Sequence, residues 1–172
     1  MKRTTHALLT SLLLLPACSG DKSTAPNAST TKPAAAPAAN PQAPVKDDID
    51  VAYKTLMAKP EQPDERIEIQ HILIGFKGAP RMESVTRSKD EAKVLAQKVY
   101  SEAIGGADFD ALVKQYTNDS PPGIYPLTKA GRAGMVQGFG DVGFRLKVGE
   151  IGISNWDAAA SPFGWHIIKR LK

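Results

Sequence analysis

The stretch Arg66-Ile67-Glu68-Ile69-Gln70-His71-Ile72-Leu73-Ile74 decides how the rest of the chain is read. Ile67, Ile69, His71 and Leu73 alternate with Glu68, Gln70, Ile72 and Ile74, which is the period of a strand whose second half is apolar on both faces. Beyond it, residues 75–87 read as a basic loop. Ser88 followed three residues later by Glu91 is a capping box that opens a helix. Ala92, Leu95, Ala96, Val99 and Ala103 form one apolar stripe along that helix, and Gly105-Gly106 ends it. Asp108 is a good N-cap for a second helix with Phe109, Leu112, Val113 and Tyr116 turned inward. A turn at 118–123, a strand at 124–127, a helical turn at 139–146 and strands at 150–156 and 164–171 complete the chain. One strand, then helices, then several strands predict an α+β domain with a mostly antiparallel sheet.

Upstream of this domain, residues 47–59 read as a short helix with Val51, Tyr53, Leu56 and Met57 as its apolar residues, stopped by Pro60 and Pro63. Residues 19–46 hold five prolines, eight alanines and no aromatic residue. Such a composition buries too little apolar surface to offset its ordering entropy and reads as a disordered linker, reaching roughly 30 Å as a flexible coil. At the start, Lys2 and Arg3 precede an apolar run at 7–15, about half the ~20 residues that span a bilayer, as in a secretory signal. Leu15-Pro16-Ala17-Cys18 then resembles the lipobox of bacterial lipoproteins, in which the cysteine is acylated and becomes the new N-terminus; an ordinary signal cleaved nearby is the alternative. On the lipoprotein reading, residues 1–17 are the signal, Cys18 is the lipidation site, and residues 18–46 form the anchored linker, held stably by two or more acyl chains. Ser19 resembles an outer-membrane sorting residue of enterobacterial lipoproteins, so the expected location is the bacterial cell envelope, on the outer membrane facing the periplasm. With such an anchor, the sequons at Asn27 and Asn118 read as coincidence.

The 172 residues allow one ordinary domain plus these extensions. A single cysteine excludes an internal disulfide and any zinc site built on two or four cysteines. Against 18 Asp and Glu stand 22 Lys and Arg, a net +4 that falls to +2 without Lys2 and Arg3. No concentrated basic face of a nucleic-acid binder is present, and no nucleic-acid partner is expected.

Two histidines lie in the folded part, His71 in the first strand and His166 in the last, each followed by an isoleucine. If the two end strands are adjacent and central, their imidazoles meet across the sheet; either one alone reads as a satisfied core residue. A metal would need a third and fourth ligand, and no carboxylate or thiol partner presents itself, so neither metal nor cofactor is expected.

The stretch 68–74, the capped helix, Gly106-Ala107-Asp108-Phe109-Asp110-Ala111-Leu112, Val148-Gly149-Glu150-Ile151 and Gly164-Trp165-His166-Ile167-Ile168 together resemble the parvulin-type peptidyl-prolyl cis/trans isomerases over residues 67–172. The resemblance implies a parvulin (FKBP-like) fold, a four-stranded antiparallel sheet surrounded by about four helices, at 66–172 after a helical lead-in at 47–65. It implies isomerisation of X–Pro bonds in exported, proline-containing polypeptides by non-covalent stabilisation of the twisted amide, in a lipid-anchored monomer. The alternative is a non-catalytic chaperone or adaptor of the same fold that binds extended segments in the envelope. Carried over residue by residue, Leu127, Met135 and Phe139 form the apolar cup for the proline ring, although by themselves they read as ordinary core. His71 and His166 correspond to the paired histidines under the catalytic floor, and Ser161 offers a hydroxyl that helps fix their tautomer. Asp119 stands where the family holds cysteine or aspartate and suits electrostatic polarisation of the substrate amide; alone, it also reads as a turn or C-cap residue before Ser120-Pro121-Pro122. Two departures stand out. Gly123-Ile124-Tyr125-Pro126-Leu127-Thr128 replaces the family's G-G-D-L-G run, and Phe163 stands beside Gly164 where smaller residues are common. The loop at 75–87, with Lys77, Arg81 and Arg87, reads first as solvated surface and second as an acidic-substrate site.

Overall fold

In a computed structural model that describes residues 48–172, β1 (Arg66–Ile74), β2 (Ile124–Thr128), β3 (Ile151–Ser154) and β4 (Trp165–Arg170) form one sheet in the order β2-β1-β4-β3. All three pairings are antiparallel. Four α-helices surround the sheet: α1 (Ile49–Met57), α2 (Lys89–Ile104), α3 (Phe109–Tyr116) and α4 (Gln137–Gly143). This is the α+β architecture expected from the sequence, a four-stranded antiparallel sheet surrounded by four helices. The signal at 1–17, the lipidation site Cys18 and the linker at 18–46 lie outside the described residues. Among the described residues, no helix is long and apolar enough to cross a membrane.

The alternation of β1 is explained by cover on both faces. Ile72 and Ile74 join Ile153 and Ile167 under α2 and α3, where Val99, Phe109 and Val113 meet them. Ile67 and Ile69 join Leu127 and Ile168 under α4, against Phe139, Phe144 and Leu146. Each such isoleucine, fully removed from water, contributes about 2 kcal/mol. The capping box of α2 is closed in both directions: Glu91 N–H donates to Ser88 Oγ at 3.2 Å and Ser88 N–H donates to Glu91 Oε2 at 2.7 Å, a device of about 1 kcal/mol. Of the apolar residues its periodicity suggested, Leu56, Tyr53 and Met57 pack into the core, while Val51 does not and Ile49 takes its place. Ile49 and Leu56 are buried, one in each core cluster, whereas Val51 is 44% exposed.

The loop at 75–87 is solvated at Lys77 and Arg81, as read, but its other face is packed against the fold. Successive turns donate Ala79 N–H to Phe76 O, Met82 N–H to Ala79 O and Val85 N–H to Met82 O. This period of three turns Ala79, Met82 and Val85 inward, onto Leu73 and beside Phe76 and Phe163. Arg87 is spent inside the fold, donating to the Gly75 carbonyl at 2.9 Å and to Asn118 Oδ1 at 2.8 Å.

Candidate active site

β1 and β4 are the two central strands, so the chain's first and last strands are neighbours. Their register pairs His71 with Ile168 and Leu73 with His166, which sets the two histidines diagonally on one face. Their Nδ1 atoms are 3.1 Å apart, and the rings stack with centroids 5.3 Å apart. β4 can come this close to the end of β1 because of Gly164. It has φ +149°, and a Cβ there would strike the Ile74 carbonyl oxygen.

Asp119 is brought above His71 by the segment that follows α3. The N–H groups of Leu73 and Asp119 both donate to Thr117 Oγ1, and Asn118 N–H donates to the Leu73 carbonyl at 2.8 Å. This fastening sets Asp119 Oδ2 2.9 Å from His71 Nε2 and 2.9 Å from the Tyr125 hydroxyl, which donates to it. A carboxylate can only accept, so the proton between Asp119 and His71 sits on Nε2. With His71 neutral, its Nδ1 is then an acceptor and His166 donates Nδ1–H to it. The hydrogen bond from His71 holds the Asp119 carboxyl well below the usual carboxylate range, with help from Ser120 N–H and Tyr125. Burial, and then the neighbouring His71, push the His166 imidazole down to about 3, so it is neutral at ordinary pH. Burial, followed by the bond to Asp119, raises Tyr125.

This polar network forms one side of a cavity of about 570 Å³. Met135, Val136 and Phe139 form an apolar wall; Arg81, Met82 and Phe163 close the side toward the packed loop. The Phe139 ring stands edge-on to both histidines, 4.9 Å from His71 and 5.5 Å from His166 by centroid. The Arg81 guanidinium lies 5.6 Å over the Phe163 ring, on a backbone with φ +61°. Behind the wall, Arg132 in the 3₁₀ turn Arg132–Gly134 donates to both carboxylate oxygens of Glu61, at 2.8 and 2.9 Å. That pair ties the lead-in directly to the turn that presents Met135.

Two of the anticipated residues stand elsewhere. Leu127 does not line the cavity: opposite Ile67 in the β1–β2 register, it is covered by the α4 side of the core. Tyr125, two residues earlier on the same face, occupies the rim instead. Ser161 makes no hydrogen bond to either histidine, because its hydroxyl donates to the Gly164 carbonyl at 3.1 Å. Sequence reasoning passed over Tyr125, Met82 and Val136; the period-two pattern of β2 contained the signal for Tyr125. Among the described residues, no group of three or more His, Cys, Asp or Glu is arranged to hold a metal ion.

A family model described as the PPIC-type PPIASE domain matches residues 53–172. Similar curated proteins include Foldase protein PrsA 4 of Bacillus cereus, 34% identical over 60% of this chain and 31% of that protein. Foldase protein PrsA of a Geobacillus species is 31% identical over 72% of this chain and 38% of its own length. Chaperone SurA of Pseudomonas fluorescens is 30% identical over 62% of this chain and 23% of its own length. The chain thus spans between 23% and 38% of the length of these relatives. Among solved structures, TbPIN1 superposes with a TM-score of 0.51 at 24% identity, covering 63% of this chain and 99% of its own. Peptidyl-prolyl isomerase ESS1 from Candida albicans superposes with a TM-score of 0.50 at 21% identity, covering 72% of this chain and 73% of its own. Both likenesses bear on the fold.

Proposed function

The chain belongs to the PPIC-type PPIase family, the parvulins, and from that premise we propose that it isomerises X–Pro bonds in exported polypeptides without forming a bond to them. The observation that carries this reading is the cavity itself, with Met135 and Phe139 on one side and the Asp119–His71–His166 network on the other. The barrier to rotation is ~18–20 kcal/mol, because the twisted amide loses its resonance. Resonance places extra negative charge on the carbonyl oxygen of the planar amide, and rotation withdraws it. An apolar cup disfavours the more polar planar form, and the ionised Asp119 beside the carbonyl penalises the planar form more than the twisted one. Both effects act differentially on the transition state, which is what catalysis requires. A thousandfold acceleration needs about 4 kcal/mol of such difference. In this reading Met135 and Phe139 hold the pyrrolidine, Asp119 opposes the charge that resonance places on the carbonyl oxygen, and the two histidines with Tyr125 keep Asp119 ionised and oriented. Neither a metal nor a cofactor enters the scheme.

A second reading rests on the names of the relatives, which include a chaperone: the same cavity binds extended segments without turning them. Refolding of a client limited by X–Pro isomerisation separates the two. The isomerase reading predicts a faster slow phase with the native chain, and a rate close to the uncatalysed one with Met135→Ala. Suppressed aggregation with an unchanged slow phase would favour the chaperone. We propose further that Cys18 is acylated and holds the protein on the bacterial envelope, at the outer membrane. Radioactive fatty acid should label the native chain and not Cys18→Ser; equal label in both would reject the anchor.

A further inference from the structure

The residues that replace the family's G-G-D-L-G run, Gly123-Ile124-Tyr125-Pro126-Leu127-Thr128, lead into and form β2, an edge strand paired with β1 alone. Bonds just beyond its two ends fix which backbone groups face outward. His71 N–H donates to the Gly123 carbonyl, and Lys129 N–H donates to the Glu65 carbonyl. An antiparallel ladder alternates, so Tyr125 and Leu127 exchange bonds with Ile69 and Ile67, while Ile124, Pro126 and Thr128 turn their backbone groups away from β1. Glu68, opposite Pro126, agrees with this: its N–H donates to the Lys172 carbonyl and its carbonyl accepts from Leu171 N–H.

The outward groups are unequal. Ile124 offers both an N–H and a carbonyl, neither with a partner among the described residues. Pro126 has no N–H to offer, and the Thr128 carbonyl already accepts from Gly131 N–H. The edge therefore holds one complete donor–acceptor pair, followed by a position that can only accept. That pair stands at the candidate site: Ile124 is 41% exposed and adjoins Tyr125, which lines the cavity and bonds Asp119. We propose that Ile124 is a docking rung for the main chain of a client. An extended segment flanking the proline in the cavity exchanges two backbone hydrogen bonds with Ile124, and Pro126 stops the pairing there.

Continuity with the cavity names the occupant. Successive strand residues advance by about 3.3 Å, so a chain leaving the cavity past Tyr125 meets Ile124 within a residue or two. Main-chain bonds read no side chain, which suits segments of varied sequence. The stop matters as much as the rung. A full row of donors and acceptors would zip along a client and hold it, whereas the donor missing at Pro126 confines the grip to one residue. A second copy of this chain is a poor occupant. Two β2 edges paired about Ile124 would set each Pro126 opposite the Pro122 of the other copy, with no donor on either side of the central pair.

The rung rests on the reading that the cavity holds an X–Pro segment, and amide hydrogen exchange of the 15N-labelled full chain tests it separately from turnover. The probes are a blocked X–Pro tetrapeptide and a longer unstructured peptide with the same centre. At saturation the long peptide should slow exchange of the Ile124 amide at least ~5-fold, and the tetrapeptide should not. Ile124→Pro, which removes the donor without removing a bond to β1, should erase the KM advantage of the long peptide over the short one. Pro126→Thr, which supplies the missing donor, should widen that advantage roughly threefold to tenfold. An Ile124 amide left unprotected while cis/trans exchange of the long peptide is catalysed overturns the rung and leaves the isomerase reading standing. Protection of Ile124 without catalysed exchange upholds the rung and refutes the isomerase instead. A long peptide that shifts no signal of the cavity residues overturns both.

Discussion

Acidification should weaken this fold through His166, and the size of the effect follows from its burial. The unfolded chain takes up a proton on this histidine near pH 6.5, whereas in the folded protein burial pushes the imidazole down to about 3. Between those limits the unfolded state binds more protons, so stability falls as pH falls through that window and is fully present above it. Between about pH 7 and pH 5 the loss from this one group is about 2 kcal/mol. Asp119 acts in a lower range. Its folded value is depressed, so the stability it contributes is present above its ordinary carboxylate value and lost only at more acidic pH. Urea denaturation followed by tryptophan fluorescence, with Trp165 buried as the reporter, measures the difference between the two pH values. His166→Gln carries no titratable group there and should lose most of the pH dependence, whatever its absolute stability. A native protein equally stable at both values, or a variant with the same slope, would refute the reasoning.

Other substitutions probe the cup and its supports. Met135→Ala should lower X–Pro exchange at least tenfold with little change in melting temperature, because Met135 is only half-buried at the cavity wall; steady-state exchange rates and calorimetry check it. Phe139→Ala should cost about 3–5 kcal/mol in addition to activity, since the ring is fully buried and joins the cavity to the α4 core; denaturant titration reads this. Glu61→Gln breaks the paired contact to Arg132 and should destabilise by about 1–2 kcal/mol, raising KM more than it lowers kcat because it loosens the turn before Met135. Gly164→Ala should cost more than about 3 kcal/mol, as a Cβ meets the Ile74 carbonyl on a backbone suited to glycine; its soluble yield and unfolding midpoint decide.

The elements that local pattern specifies were legible in the chain. The alternation from Ile67 to Leu73, the Ser88–Glu91 box and the Asp108 cap each state a local physical demand, and each is met where it was read. The adjacency of β1 and β4 depends on contacts between chain ends, so the meeting of His71 and His166 remained conditional until the register was seen. Leu127 and Tyr125 share a face by their period of two. Which of them borders the cavity depends on how far α4 covers β2, and no property of the strand itself encodes that. The cations of the 75–87 loop drew attention away from Ala79, Met82 and Val85, whose spacing of three matches the turns that bury them. Ser161 was misjudged because a serine three residues before a carbonyl in a tight turn satisfies itself locally.

The account stands most directly on proton exchange spectroscopy of a short X–Pro peptide with catalytic amounts of the full chain. It predicts cis/trans cross-peaks that grow with the native protein and fall by at least tenfold with Asp119→Ala and with Met135→Ala. Peptide that binds in the cavity while its cis and trans signals exchange at the uncatalysed rate would contradict it.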